Sequence, residues 1–197
     1  LVLDNRRDTL PEAVGFKLDY ARNRMQAFID QMLYYARLRG ARRDYRFERL
    51  TLRSCIDEVL DDYRPLLEEK HIRIERQLAD ETVFTDRRGL CFLLGQLVSN
   101  SVKYTSDAPV LTFSLTCNTA ETVLTVRDNG PGVHACDLPY VFEKGFTGDS
   151  GHEMSKATGM GLYLAREIAK ELGLTLSAAS DWGAGFEIRV TFPVVEE

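Results

Sequence analysis

The chain has 197 residues, 44% hydrophobic and 28% charged, and its 25 basic and 30 acidic side chains leave a net charge of -5. That composition supports an ordered core and excludes a disordered tail, while the acidic balance, with no Lys/Arg stripe interleaved with aromatics, excludes the electrostatic footprint of nucleic-acid binding. Cys55, Cys91, Cys117 and Cys136 are scattered with no CxxC pair, which argues against zinc or a disulfide framework and for a reducing compartment. No apolar run reaches the roughly 18 to 20 residues of a membrane span, and the first residues carry no signal-peptide pattern, so the chain as given is expected to be soluble.

Between Phe16 and Leu38, the residues Leu18, Ala21, Met25, Phe28, Met32 and Tyr35 step by three and four, and Ile29 and Ala36 widen the same face. This is a heptad seam along a helix. "DTLPE" supplies a start, with Thr9 or Asp8 as cap and Pro11 in an early position, and Gly40 can end it. A seam of this kind predicts a partner helix, from residues upstream of this chain or from a second copy; packing on the chain's own globular part is the alternative. The boundaries expected are a helical segment 1–40, an Arg-rich solvated linker 41–51 and a globular domain 52–197.

After the linker, "TLRSCIDEVLDDYRPLLEEK" reads as one amphipathic helix and "HIRIERQL" as a half-buried strand. "TDRRGLCFLLGQLVSNSVKYT" returns to helical period. "PVLTFSLTC" and "TVLTVRD" are strands separated by the polar "NTAE". An irregular glycine-bearing stretch leads to a helix from about Gly161 to Leu172, and the strands "LTLSAAS" and "FEIRVTFPV" close the chain around "DWGAG". Long helices alternating with hairpins predict an α+β fold, a two-layer α/β sandwich with a mixed sheet covered by helices on one face.

Three constellations carry chemistry. On the helix around Asn100, the spacing of 100° per residue puts Gln96, Asn100 and Lys103 on one polar stripe opposite Leu90, Leu94, Leu97 and Val98. Asn100 can give an amide oxygen to Mg²⁺, a hard cation often shared with substrate phosphates, and Lys103 can neutralise phosphate charge; a solvated polar face is the plainer reading. In "VRDNGPGV", Asp128 can accept from an exocyclic amine such as that of adenine, where guanine would oppose it with a keto oxygen. Gly130 and Gly132 permit φ > 0 and close backbone approach, although a hairpin turn has the same composition. In "ATGMGLYLAREIAKELG", Gly159 and Gly161 precede a helix whose free N–H groups suit phosphate. Between the last two lies "FEKGFTGDSGHEMSKATG", polar and long enough for a lid. Four such features in this order within one domain point to a nucleotide site.

In that order they resemble the catalytic domain of the sensor histidine kinases, part of the ATPase superfamily shared with gyrase, Hsp90 and MutL. "QLVSNSVKYT" is similar to the family's N box, "DNGPGV" to its first glycine box, "FEKGFTG" to its F box and "TGMGLYLAR" to its second glycine box, over about Leu52 to Val195. The seam helix with "LYYARL" resembles the second helix of the dimerisation and phosphoacceptor domain. The resemblance implies a Bergerat-type fold binding ATP and Mg²⁺, with Asn100 as metal ligand, Lys103 and Tyr104 beside the nucleotide and Asp128 on adenine. It implies further that Gly130, Gly132, Gly159, Met160, Gly161 and Leu162 shape the pocket, and that Phe142, Lys144, Gly145 and Thr147 belong to the lid. Transfer of the γ-phosphoryl group would rest on positioning and charge neutralisation. The partners implied are a response regulator receiver domain and, in the full-length protein, a second copy of the chain, with the membrane reached only through N-terminal segments and the domain lying in the cytoplasm of a bacterium.

Two positions depart from the pattern: Gln96 stands where a first Asn is usual, and Ala157 where the second glycine box often begins with Gly. Gln there, with "GMGLYL", is similar to the intramembrane-sensing kinases of the bacitracin-resistance type. The histidines His71, His134 and His152 do not stand on an N-terminal helix before an acidic residue. No catalytic residue is therefore assigned: the chain is expected to be a segment that begins after the phosphoacceptor, binding ATP without phosphorylating itself. Two readings compete, a regulatory module that has lost catalysis and a chaperone or repair ATPase of the same superfamily. The second needs an acidic base one turn before Asn100, where Gln96 stands.

Overall fold

The computed structural model describes residues 45–104, 107–148 and 158–194, together with Met25, Ile29, Met32, Leu33 and Ala36. By its contacts the chain divides into Leu1–Arg43 and Asp44–Glu197. In the first unit all five described residues are helical, and Met25, Ile29 and Leu33 expose apolar side chains. Leu18, Ala21, Phe28 and Tyr35, the other members of the expected seam, lie outside the described residues.

The second unit begins with strand β1 (Phe47–Thr51), which runs directly into helix α1 (Leu52–Asp62). Helix α2 (Arg64–Glu69), strand β2 (Arg73–Gln77), strand β3 (Thr82–Asp86) and helix α3 (Arg87–Lys103) follow. Then come β4 (Val110–Cys117), β5 (Glu121–Asp128), a 3₁₀ turn at Leu138–Tyr140, helix α4 (Gly161–Glu171), β6 (Thr175–Asp181) and β7 (Gly185–Pro193). Five strands form one mixed sheet in the order β2-β4-β5-β7-β6, with β2 parallel to β4 and the other pairs antiparallel. β1 and β3 form a separate antiparallel ribbon.

The period of two decides which face is covered. Thr122, Leu124, Val126 and Asp128 on β5 are buried, as are Phe186, Ile188, Val190 and Phe192 on β7. The alternate positions carry Arg127, Glu187 and Arg189, which pair on the open face. Leu90, Leu93, Leu94, Leu97 and Val98 of α3 and Leu164, Ala165 and Ile168 of α4 supply buried helical side chains. The two-layer sandwich expected from the sequence is the fold observed.

Three elements differ from the sequence reading. The helix expected across Thr51 to Lys70 is interrupted at Tyr63, because Pro65 lacks an N–H and its ring opposes the carbonyl of residue 61 in a continuous helix. Residues 47–51, assigned to the linker, form β1, which pairs residue for residue with β3. β3 itself was hidden ahead of a long helical period. Asp86 ends that strand and caps α3, its carboxylate accepting from Gly89 N at 2.8 Å and from Arg46 N at 2.9 Å. Among the described residues no helix is long and apolar enough to cross a membrane.

Candidate nucleotide site

At one end of the sheet, between α3, the end of β5, the β6–β7 turn and the start of α4, lies a cleft of about 930 Å³, solvent at its mouth included. Asp128 sits in its floor for a reason visible in the strand: as the last inward position of β5 it continues the row of Leu124 and Val126, so its carboxylate is buried. Ser101 Oγ donates to Asp128 Oδ2 at 2.9 Å, while Gly130 N and Phe186 N donate to Oδ1 at 3.0 and 3.3 Å. Burial pushes the Asp128 carboxyl above its ordinary range and outweighs these three hydrogen bonds, which pull the other way.

α3 provides the opposite wall. Gln96, Asn100 and Lys103 line the cleft, as their common stripe required, and Tyr104 follows at the helix end, its N–H donating to Asn100 O at 3.2 Å. Solvent reaches Lys103, yet the surrounding protein is dense enough that desolvation lowers its ammonium pKa; burial raises that of the Tyr104 phenol. Among the described residues no group of three or more His, Cys, Asp or Glu could hold a metal. On α3 the hard donors lining the cleft are the side-chain amides of Gln96 and Asn100, too few for a cage but suited to a cation that brings phosphate oxygens of its own.

Gly159, Gly161 and Leu162 line the third side. α4 starts at Gly161 after Met160 with no side-chain cap, so its first N–H groups have no intrahelical partner.

The glycines act differently from one another. Gly130 does not have positive φ, contrary to the conformational role expected of it. It is needed for proximity, since a Cβ there would stand 2.2 Å from the Tyr104 carbonyl oxygen. Gly159 has φ +66°, and a Cβ on it would lie 2.3 Å from the Gly145 carbonyl carbon. Gly145 N donates to Gly159 O at 3.0 Å, so the F box and the second glycine box meet backbone to backbone.

Of the residues named from the sequence, the cleft brings together Asn100, Lys103, Tyr104, Asp128, Gly132, Thr147, Gly159, Gly161 and Leu162. Gly130, Phe142, Lys144, Gly145 and Met160 are not on its lining. Phe142 is buried with the Arg166 guanidinium 5.9 Å from its ring centre, and Met160 is buried ahead of α4. Residues 149–157, the middle of the expected lid, lie outside the described residues, as does His152. Sequence reasoning missed Ser101, Phe186 and the pair His134–Trp182, whose rings stack at 3.5 Å on the cleft wall, while Phe146, inside the expected lid span Lys144 to Thr147, lines the cleft. Ser101 had a signal, a hydroxyl between Val98 and Val102 on the apolar side of α3. Trp182, the only tryptophan, stood in the glycine turn "DWGAG".

A mixed sheet covered by helices on one face, with a cleft between an Asn/Lys helix and an uncapped helix start, defines a two-layer α/β sandwich of the ATPase kind. Residues 85–196 match the family described as histidine kinase-, DNA gyrase B-, and HSP90-like ATPase, and the chain belongs to that family. Among the relatives it resembles are sensor proteins and sensor histidine kinases of bacteria. The sensor protein BceS of Halalkalibacterium halodurans is 34% identical over 197 residues, which are all of this chain and 58% of that protein. The fold is also that of the Acinetobacter baumannii histidine kinase AdeS, with a TM-score of 0.73 at 19% identity, covering 98% of this chain and 92% of that one. Full-length ShkA in complex with AMPPNP has a TM-score of 0.71 at 19% identity, covering 94% of this chain and 39% of that one. The chain thus spans little more than half the length of the curated relative it matches over its whole extent.

Proposed function

We propose that this chain binds Mg²⁺–ATP in the cleft and presents its γ-phosphoryl group to a histidine on another part of the whole protein, from which it passes to an aspartate of a response regulator. The observation that carries the proposal is the buried Asp128 carboxylate at the floor of the cleft that Asn100 and Lys103 also line. An anion this desolvated favours a ligand that donates to it, and the exocyclic amine of adenine does so where the keto oxygen of guanine repels it. With adenine on Asp128, the phosphates extend toward Asn100, Lys103 and the start of α4. Asn100, with Gln96 one turn before it, would hold Mg²⁺, which when bound offsets phosphate charge and fixes the polyphosphate geometry. Lys103 neutralises phosphate oxygens, and the N–H groups of Gly161 and Leu162 donate to an anionic oxygen between them.

No hydroxyl, thiol or imidazole stands in this set, so the chain contributes positioning and electrostatics to the transfer. Gln96, one turn before Asn100, is an amide and activates water poorly, which favours transfer to a side chain over hydrolysis. His71 lies in the turn before β2 and His134 is stacked on Trp182, so neither is placed on a helix for phosphorylation. The experiment is complementation in trans: the chain is mixed with labelled ATP and a purified helical phosphoacceptor segment of the same protein. Acid-labile label on that segment, and none with Asn100→Ala, is expected. Stoichiometric ATP hydrolysis without transfer would favour the hydrolytic ATPases of the superfamily instead.

A further inference from the structure

One ring pair in the cleft stands apart from the phosphate-facing set. His134 follows the first glycine box and Trp182 stands in the turn between β6 and β7, and their rings stack with centroids 3.5 Å apart and planes 18° from parallel. Both side chains line the cleft, yet Trp182 remains 52% exposed. A half-exposed indole beside a cleft leaves apolar area that a flat ligand would remove from water.

The turn that carries Trp182 is tied to the glycine box that precedes His134. Gly183 N donates to Pro131 O at 2.7 Å. Val133 N donates to Ser180 Oγ at 2.8 Å, and that hydroxyl donates to Gly185 O at 2.8 Å. Gly132 closes the joint, since at φ +73° a Cβ on it would stand 2.7 Å from Asp181 O. Both rings are thus mounted on one backbone frame, and the stack orients the indole before any ligand arrives. A ring already immobilised loses little further side-chain entropy on binding.

The same frame surrounds Asp128. Phe186 N, just past the turn, donates to its Oδ1 at 3.3 Å, and a Cβ on Gly185 would collide with its backbone oxygen. The residues assigned to phosphate, Asn100, Lys103 and Gly161, belong instead to α3 and α4. The ring pair therefore stands with Asp128, at the base end of the proposed nucleotide position.

We propose that Trp182, held by His134, is a base-binding residue of this site, a platform on which the purine ring stacks while Asp128 reads its edge. The platform presupposes the nucleotide reading above and adds a second contact to the base from another element. The two contacts differ in chemistry. Every purine has a π-face, so stacking supplies affinity for adenine and guanine alike. The carboxylate supplies the difference between them. His134 is a positioning residue that acts by orienting the indole.

The test is calorimetric titration of the parent and of Trp182→Ala with a non-hydrolysable ATP analogue, the matching GTP analogue and adenosine. Trp182→Ala should weaken the ATP analogue and adenosine by the same factor, roughly 5- to 100-fold, and leave the ratio of ATP-analogue to GTP-analogue affinity unchanged. Trp182→Phe keeps a ring and should recover most of the loss. Undiminished affinity in folded Trp182→Ala, or a loss confined to the ATP analogue with adenosine spared, would overturn the platform and leave the nucleotide reading standing. Absence of nucleotide binding by the parent would overturn both. A second measurement needs no substitution, because Trp182 is the only tryptophan. Magnetisation transfer from its indole protons to adenine H2 or H8 is expected in the parent chain with ADP bound, and its absence would overturn the platform whether or not the variants fold.

Discussion

Ser101 Oγ donates to Asp128 Oδ2 at 2.9 Å, joining the helix that carries Asn100 to the strand that ends in the glycine box. This bond fixes the carboxylate in the cleft floor and sets the distance between the parts that would meet adenine and phosphate. Removing the hydroxyl leaves a buried carboxylate oxygen short of a donor, so Ser101→Ala should cost about 1–3 kcal/mol in denaturant unfolding. Ser101→Thr, which keeps the hydroxyl, should recover part of that loss.

Asp128→Asn should separate stability from function. Because its folded-state pKa is raised above the ordinary 3.8, the native chain binds this proton more tightly than the unfolded one. Stability from this group is therefore greatest at acid pH and falls as pH rises from about the ordinary value through the raised one. Asn mimics the protonated form, so the variant should melt at a higher temperature than the parent at neutral pH, with the difference vanishing toward acid pH. Thermal scans at several pH values read this directly.

Lys103 addresses phosphate in the proposed site, so Lys103→Met should weaken ATP by roughly 10- to 100-fold, the worth of a charged hydrogen bond, while adenosine is barely affected. Desolvation lowers the Lys103 pKa from 10.5. Affinity of the parent for ATP should accordingly begin to fall at a pH below that ordinary value, and the fall should be missing from the variant. Competition titrations from neutral to alkaline pH would show it.

Gly130→Ala and Gly159→Ala should both destabilise the chain, for different reasons. The first places a methyl 2.2 Å from the Tyr104 carbonyl, and the second places one 2.3 Å from Gly145 at φ +66°. Both neighbours are backbone and cannot rotate aside, so each should lower stability by about 1–3 kcal/mol or force the loops apart. Denaturant midpoints and nucleotide affinity should fall together.

Trp182 is the only tryptophan, is 52% exposed and stacks on His134 at the cleft wall. Its fluorescence should respond saturably to ATP, and His134→Ala should change the starting spectrum by removing the stacked ring. An unresponsive tryptophan at saturating nucleotide would place the ligand elsewhere.

The sandwich was legible because period-two and period-3.6 patterns are long in β4, β5, β7, α3 and α4. β1 and β3 escaped notice because a five-residue strand beside arginines, or running straight into a helix, leaves too short a pattern. Asp128, Asn100 and Gly159, singled out by the order of the motifs and the family resemblance, all line the cleft. Ser101 and the N–H of Phe186 were not singled out, since a hydroxyl in an apolar stripe and a backbone donor on a distant strand acquire meaning only once the register pairs Asp128 with Phe186. Of the two properties expected of Gly130, positive φ is not found; the close approach is to the Tyr104 carbonyl, which folding brings from 26 positions away (130 − 104).

The most direct test of the central claim is calorimetric titration of the chain with ADP, a non-hydrolysable ATP analogue and the matching GTP analogue, each with Mg²⁺, repeated on Asp128→Asn. Adenine nucleotides should bind, the guanine analogue should bind at least about 10-fold more weakly, and the variant should lose adenine affinity while remaining folded, since an unpaired polar edge costs at least that much. Equal binding of adenine and guanine analogues, or undiminished adenine affinity in folded Asp128→Asn, would contradict the assignment of Asp128 as the adenine-reading group.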